Sequence, residues 1–427
     1  MARIFYTSLL WLALPVLLVR LALRTARSPA YRFRLAERFG GGAHPSRPYD
    51  IWVHAVSVGE TNAATPLVQQ MLNLVPPPRV LITTMTPTGA ERVFATFGDK
   101  VCHRYIPYDY PFAVDRFLDQ IQPRMLVLME TEIWPNLINR CNKRNIKVAM
   151  ANVRLSEKSA RGYRMVLPLI RSALDSISVF ATQSVADQER LLTLGVDALK
   201  VHRTGSMKFE IHLPASLNEV AQAVRRDWGP NRPVVIAGST HEGEEALLLQ
   251  SLAKLQKSFP DLLLVIAPRH PERFDTVSRQ ATKSGFKISR RSRQTGALDP
   301  AVAVQIADTM GELPTLYSAG DIAVVGGSLI PIRGIGGHNI LEACAVGVPV
   351  VFGQNMSNFL EISALALTHN AGYQIKNADA LSICLTTLLK DANLRATIGE
   401  NGRIMVAQNT GATKKTLELL IPLFTGH

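Results

Sequence analysis

The chain has 427 residues, beyond the ~250–300 at which one hydrophobic core usually stops growing, so two domains are expected. Hydrophobic residues at 47% and charged residues at 19% exclude global disorder, a collagen-like repeat and a polytopic membrane protein. The net charge of +13 favours an anionic partner (nucleic acid, a phosphorylated metabolite or a lipid surface), and residues 1–40 carry seven arginines against the single acid Glu37.

Those arginines adjoin the most apolar stretch of the chain, Ile4 to Val19, which has no charge and is flanked by Arg3 and by Arg20, Arg24 and Arg27. As a helix it is ~24 Å long, short of the ~30 Å hydrocarbon thickness, although Leu21, Ala22 and Leu23 extend it. No small-residue cleavage site follows, so it reads as an uncleaved anchor over residues 1–27 with its arginines, and the rest of the chain, on the cytoplasmic side. The competing reading is a buried core helix. Cys102, Cys141, Cys344 and Cys384 are scattered without metal or disulfide spacing, as in a reducing compartment.

After the anchor, IWVHAVSVGE, RVLITTMTPTG, VCHRYIPYD, RMLVLMETEIW, IKVAMANVRLS, ISVFATQSV and VHRTGSMKF each place a short apolar run before Gly, Ser, Thr or a charge, with helix-length segments between them. This predicts parallel strands with crossover helices over 28–212. Residues 213–230, ending at Gly229 and Pro230, break the pattern and mark a linker. A second series, RPVVIAGST, DLLLVIAPR, AVQIADT, IAVVGGSL, VPVVFG and GYQIKN, fills 231–427, with helices from Ala378 to Phe424 whose last segment is placed to pack back across a cleft. The expected class is α/β, two doubly wound, Rossmann-like domains facing a cleft lined by the carboxyl ends of strands.

Polar residues just after apolar runs are therefore the candidates. In the second half, Gly326 to Gly353 holds a glycine loop and then Asn339, which reads as the cap of a helix whose N–H groups and dipole suit a phosphate. Glu342, in the first turn, suits a ribose diol. The alternatives are a tight turn and a surface glutamate that complements the dipole. Arg269, His270 and Arg273 follow a buried strand, where two guanidinium groups suit phosphate or carboxylate, or form a solvated loop. Met310, Gly311 and Glu312 again lie between strand and helix, as base-edge readers or a plain helix start. In the first half, Glu60 follows a strand ending near His54 and reads as a general base or a helix cap. Glu130, Glu132 and Lys208 stand after other strands. No metal motif, P-loop or dinucleotide fingerprint occurs, and His241 with Glu242 reads as a capped helix start.

The motifs PAYRFRLAERFG, SVGET, TTMTPTGAERV, METEIWPN, TGSMKF, STHEGEE, APRHPERF, DTMGEL and GGHNILEACAVGVPVVFG, in this order, make the chain resemble the 3-deoxy-D-manno-octulosonic acid (Kdo) transferases of Gram-negative bacteria. The resemblance implies a GT-B glycosyltransferase with an acceptor-binding first half and a CMP-Kdo-binding second half. It implies Glu60 as general base and Glu130 and Lys208 as stabilisers of the transition state. Pro268 with Arg269, Met310 to Glu312, and Asn339, Ile340, Leu341 and Glu342 match the CMP-binding segments. The loop RGIGGHN departs from the pattern by being longer, with Ile332 to Ile335 interposed.

The reaction so implied moves one or two Kdo residues from CMP-Kdo to the lipid A precursor, lipid IVA, with inversion. It needs neither metal nor cofactor, because Arg269, the helix dipole near Asn339 and Lys208 neutralise the leaving phosphate. It takes place at the cytoplasmic face of the inner membrane, with no nucleic acid as partner. Two rivals are a cytosolic sugar-nucleotide epimerase of the same architecture, which has no use for residues 1–40, and a membrane-associated nucleic-acid binder, for which no binding motif is present.

Overall fold

The computed structural model describes residues 2–42 and 45–425. Seven short apolar runs form a parallel sheet: β1 (Ile51–His54), β2 (Val80–Thr84), β3 (Cys102–Tyr105), β4 (Met125–Met129), β5 (Lys147–Val153), β6 (Val179–Thr182) and β7 (Val201–Arg203), in the order β3-β2-β1-β4-β5-β6-β7. β1, β2 and β4 are buried along their whole length, as strands covered by helices on both faces must be. Successive side chains of β1 serve opposite cores: Trp52 packs with Phe117 and Leu126, whereas Ile51 and Val53 pack with Leu67, Leu420 and Phe424.

A second parallel sheet comes next: β8 (Val234–Thr240), β9 (Leu263–Pro268), β10 (Ile288–Arg290), β11 (Val304–Ile306), β12 (Ile322–Val325), β13 (Val350–Phe352) and β14 (Gly372–Gln374), in the order β10-β11-β9-β8-β12-β13-β14. Each sheet has a central reversal of strand order, between β1 and β4 and between β8 and β12, and the second also turns back at its edge, where β11 lies between β9 and β10. In doubly wound sheets, ligands bind beyond the carboxyl ends of strands at such a reversal.

The chain divides into one unit of Met1–Glu210 with Thr410–His427 and another of Ile211–Asn409. This corrects the expected boundaries twice. The helix Leu217–Trp228, expected as linker, is part of the second unit: Leu217, Ala221, Val224 and Trp228 form a buried face, Trp228 Nε1–H donates to Gln305 at 2.9 Å, and Arg225 pairs with Asp321 at 3.1 Å. The last helix, Ala412–Thr425, belongs to the first unit, because Leu417, Leu420 and Phe424 complete the core around Ile51 and Val53. Glu210 fixes its start by accepting the Gly411 and Thr413 N–H groups at 2.9 and 3.2 Å.

The apolar N-terminal stretch is a helix from Ala2 to Arg27. It is long and apolar enough to cross a membrane by length and composition, and no part of its apolar window is buried, which removes the core-helix reading. Ile4, Phe5, Leu12, Val16 and Val19 stand exposed along it. Its other side is tied to the first unit: the Tyr6 hydroxyl donates to Asp109 at 3.0 Å, Thr7 to Asn136 at 3.2 Å, and the Tyr110 hydroxyl to the Leu10 carbonyl at 2.7 Å. Trp11 packs edge-on to Tyr110 and stacks on Phe112.

Candidate active site

In the first unit, the reversal between β1 and β4 carries the acidic candidates. Ser57 caps the helix Val58–Leu72, and Glu60, the third helical residue, turns back toward the strand end. Glu60 Oε2 accepts the Val56 N–H at 2.7 Å, and the Ser57 hydroxyl donates to Oε1 at 3.3 Å. These bonds bear out the capping reading. Its pKa is raised to about 7, chiefly by burial and further by the charges of Glu130 and Glu132, against the opposing bonds from Val56 and Ser57. A carboxyl group so poised exchanges a proton near neutrality.

Glu130 stands directly after β4 with φ +56°, its N–H donating to the Ala151 carbonyl at 2.9 Å. Glu132 accepts the Trp134 indole N–H at 2.8 Å, and burial raises its pKa. Trp134 lies edge-on to His54 with ring centroids 5.8 Å apart. His54 is fully buried, which lowers its pKa to about 4 and keeps it neutral. Lys208 arrives by another route. At the register shift of β5, Asn152 adopts φ +55° and its Oδ1 accepts the Met207 N–H at 3.0 Å, so a bulge anchors the turn Met207–Phe209. That turn packs against the helix of Glu60.

In the second unit a similar bulge occurs in β8, where Ser239 has φ +56° at a register shift; Thr240 is the strand's last residue, paired with Pro268, and His241 leaves it. Two buried carboxylates organise the loops around this bulge. Glu244 accepts N–H groups from His241 at 2.9 Å, Gly327 at 2.8 Å, Ser328 at 3.1 Å and Leu329 at 2.9 Å, stapling the loop after β8 to the loop after β12. Glu245 takes both prongs of Arg273 at 2.6 and 3.0 Å and the Thr240 hydroxyl at 2.8 Å. In the sequence GSTHEGEE reads as a capped helix start, and its adjacent acids are the only signal that both are buried connectors. Arg273, expected as a second guanidinium for an anionic ligand, is instead occupied by Glu245.

Pro268 ends β9 and Arg269 follows it, its N–H held by the Thr240 carbonyl at 2.9 Å. The Arg269 charge lowers the pKa of Glu342, against the larger upward effect of burial, and that of His338, which burial brings to about 4. Asn339 Oδ1 accepts the Leu341 N–H at 3.1 Å, and its Nδ2 lies 3.4 Å from Glu342 Oε1. The helix it opens, Leu341–Ala345, is only five residues long. The expected dipole contribution is thereby reduced, since so few peptide units are aligned. Ile340 and Leu341 are fully buried, and the Leu341 N–H is taken by Asn339, so both anchor the turn that carries Glu342. Met310 is exposed, Gly311 takes φ +85°, and Glu312 lies 3.4 Å from Arg291 at the start of the helix Leu313–Ala319. Among the described residues no group of three or more His, Cys, Asp or Glu side chains is placed to hold a metal.

Residues 33–211 match the family model of 3-deoxy-D-manno-octulosonic-acid transferase (kdotransferase), and residues 241–405 match that of glycosyl transferases group 1. The 3-deoxy-D-manno-octulosonic acid transferase of Haemophilus influenzae is 41% identical over 426 residues, covering 99% of each chain. The chain belongs to the Kdo transferase family. Solved structures share its GT-B architecture at low identity. A glycosyltransferase from Rickettsia africae has a TM-score of 0.57 at 16% identity, covering 89% of this chain and 100% of that one. UDP-GlcNAc 2-epimerase from Neisseria meningitidis has 0.54 at 14%, covering 87% and 99%. The epimerase likeness is one of fold alone. This Kdo transferase is thus a glycosyltransferase of two seven-stranded parallel units, with the acidic candidates on the first and the Arg269 to Glu342 group on the second.

Proposed function

We propose that this Kdo transferase moves Kdo from CMP-Kdo to a hydroxyl of the lipid A precursor lipid IVA, with inversion and in one or two transfers. The observation that carries the reading is Glu60, a carboxylate at a strand-order reversal with its pKa raised to about 7. It takes the proton of a glucosamine hydroxyl. The freed oxygen attacks the anomeric carbon of Kdo from the face opposite the phosphate, and the electron pair of the breaking C–O bond passes to the phosphate oxygen. Glu130 and Lys208, each carried by a strand end of the same unit, act on the developing charge.

On the donor side, Glu342 accepts the ribose hydroxyl protons, its orientation fixed by Asn339. Arg269 supplies a permanent cation for the phosphate. The segment Met310 to Glu312 serves the rest of the nucleotide, and the buried Ile340 and Leu341 hold the turn that presents Glu342. A guanidinium in that role supports a metal-independent transfer. The exposed apolar face of Ala2–Arg27 and its arginines support attachment to the cytoplasmic face of the inner membrane, where a lipid acceptor is concentrated.

The test is mass spectrometry of the products from lipid IVA and CMP-Kdo, with CMP release followed in parallel and with excess EDTA in one arm. Product heavier by one or two Kdo units, formed in EDTA, is expected. CMP release that ignores the lipid would overturn the acceptor assignment.

A further inference from the structure

The loops that Glu244 staples together carry two histidines into direct contact. His241 Nε2 and His338 Nε2 are 2.7 Å apart, with ring planes 8° from parallel and centroids 5.0 Å apart. The centroid separation is nearly the N–N distance plus both ring radii, so the imidazoles lie end to end in one plane and not face to face. Such a contact requires one proton between two nitrogens, one ring donating and the other accepting. Gly327 leaves room for the Cδ2–Nε2 edge of His338, from which an added Cβ would be only 2.7 and 2.9 Å away, and the backbone of His241 is held by the Glu244 carboxylate on its N–H.

Charged groups of both signs surround the pair. Arg269 and His270 come from the segment after β9, the His270 ring lying edge-on to His241 at 5.4 Å, and Arg273 comes from the turn beyond. Glu245, from the helix Glu244–Leu255, opposes them but is paired with Arg273. Glu342, from the helix Leu341–Ala345, feels the same Arg269 charge. The pair sits at the reversal between β8 and β12, beside the arginine assigned to the donor phosphate.

Resting on that assignment, we propose that His241 and His338 are further contacts to the nucleotide phosphate, and that they take up one proton as the phosphate binds and gains charge. In the donor the phosphate is a diester with one negative charge. In released CMP it is a monoester whose second ionisation lies near pH ~6. A dianion beside Arg269 offsets the burial and the neighbouring positive charge that together keep the pair neutral. A proton from solvent then fills the acceptor nitrogen, the N–H···N contact opens, and both Nε2–H groups donate to phosphate oxygens. The proton is held where negative charge grows as the sugar–phosphate bond breaks, and no oxidant or further reactant is needed. Burial and the Arg269 charge set the free His338 at about 4. Below pH ~6 the proton comes from the CMP monoanion itself; above it, where free CMP is already a dianion, the proton must come from solvent, so CMP affinity should fall as pH rises by up to about tenfold per pH unit until the pKa of the bound pair is passed.

The experiment is calorimetric titration of CMP into the full chain in detergent at pH 7.5, in buffers of different ionisation enthalpy. Uptake of about one proton per CMP is expected for the wild type, and little or none for His338→Gln or His241→Gln. Equal uptake in wild type and both variants would show that the proton goes elsewhere and overturn the inference. Should the variants unfold, 15N-histidine spectra of the wild type decide: both nitrogens of one ring moving to imidazolium positions on CMP addition, with the other ring staying neutral, support the pair, and unmoved resonances refute it. Failure of CMP to bind at all would instead remove the donor-site reading, whereas tight binding without proton uptake removes only this inference.

Discussion

The Glu60 carboxylate and the Val56 backbone N–H are joined at 2.7 Å across the turn that leaves β1. The bond points the acid back over the carboxyl end of the sheet, when a third helical residue would ordinarily splay into solvent. It also stabilises the ionised form, so the raised pKa is reached against it, through burial and two neighbouring acids.

Glu60→Gln keeps an acceptor for Val56 and removes the base. Turnover should fall by ~10²–10⁴ with CMP affinity nearly unchanged. In the wild type the base works only when ionised, so turnover should rise with pH through about 7. A pH–rate profile and CMP titration check both. A variant with ordinary turnover would assign the base elsewhere.

The same substitution should stabilise the fold at alkaline pH. The folded-state pKa lies above the ordinary value, so between about 4.5 and about 7 the native state binds more protons than the unfolded state and loses stability as pH rises. Gln carries no such penalty. Thermal unfolding should favour Glu60→Gln at pH 8, with the difference closing toward pH 4. A variant less stable at pH 8 would show that the carboxylate's hydrogen bonds outweigh its burial.

The parts of this molecule that sequence reveals are those set by local pattern. Apolar runs followed by polar residues mark most of the fourteen strands, and Glu60 and Arg269 are conspicuous because they stand directly behind such runs. What stays hidden is set by tertiary contact. The bulges at Asn152 and Ser239 put non-glycine residues at positive φ, a cost with no composition signal that is offset only by distant partners such as Met207. Glu244 and Glu245 look like ordinary acids in a first helical turn, and only the loop after β12 and Arg273 make them buried connectors. That the helix Ala412–Thr425 packs back is legible in the sequence, whereas the core it completes, around Ile51 and Val53, is set by residues at the far end of the chain.

The Arg273–Glu245 pair should matter for stability more than its neighbours. Glu245 is fully buried, and Arg273 supplies both charge and two hydrogen bonds. Arg273→Ala leaves an uncompensated carboxylate and should cost ~3–5 kcal/mol in urea unfolding. Glu245→Gln added to Arg273→Ala should recover much of the loss. Without that recovery, the damage would have to come from lost packing of the arginine stem.

Deleting residues 2–24 tests the N-terminal helix. The contacts of Tyr6 with Asp109 and of Leu10 with Tyr110 are peripheral to the core, so the shortened enzyme should fold and work on acceptor in micelles. On acceptor in liposomes, efficiency should drop by about 10²-fold, because the effective concentration conferred by the surface is lost. Equal losses in both media would make the helix a structural part of the first unit.

Glu342 is the sharpest test of the donor half, because its setting separates ribose recognition from fold stability. Its helix is a single turn, its carboxylate is held 3.4 Å from Asn339 Nδ2, and burial raises its pKa while Asn339 and Arg269 lower it. An acid buried this far without a full ion pair costs stability and is retained where a ligand supplies the missing donors. A ribose diol brings two. Glu342→Ala should weaken CMP binding by ~1–3 kcal/mol through lost hydrogen bonds to a charged group, leaving melting temperature and lipid affinity unchanged or slightly higher. Asn339→Ala frees the carboxylate without removing it and should weaken CMP by less, about 1 kcal/mol. Calorimetry with CMP and with 2′,3′-dideoxy-CMP separates the causes. The dideoxy ligand should bind wild type and Glu342→Ala alike, and a Glu342→Ala penalty of the same size for both ligands would move the ribose contact to another residue.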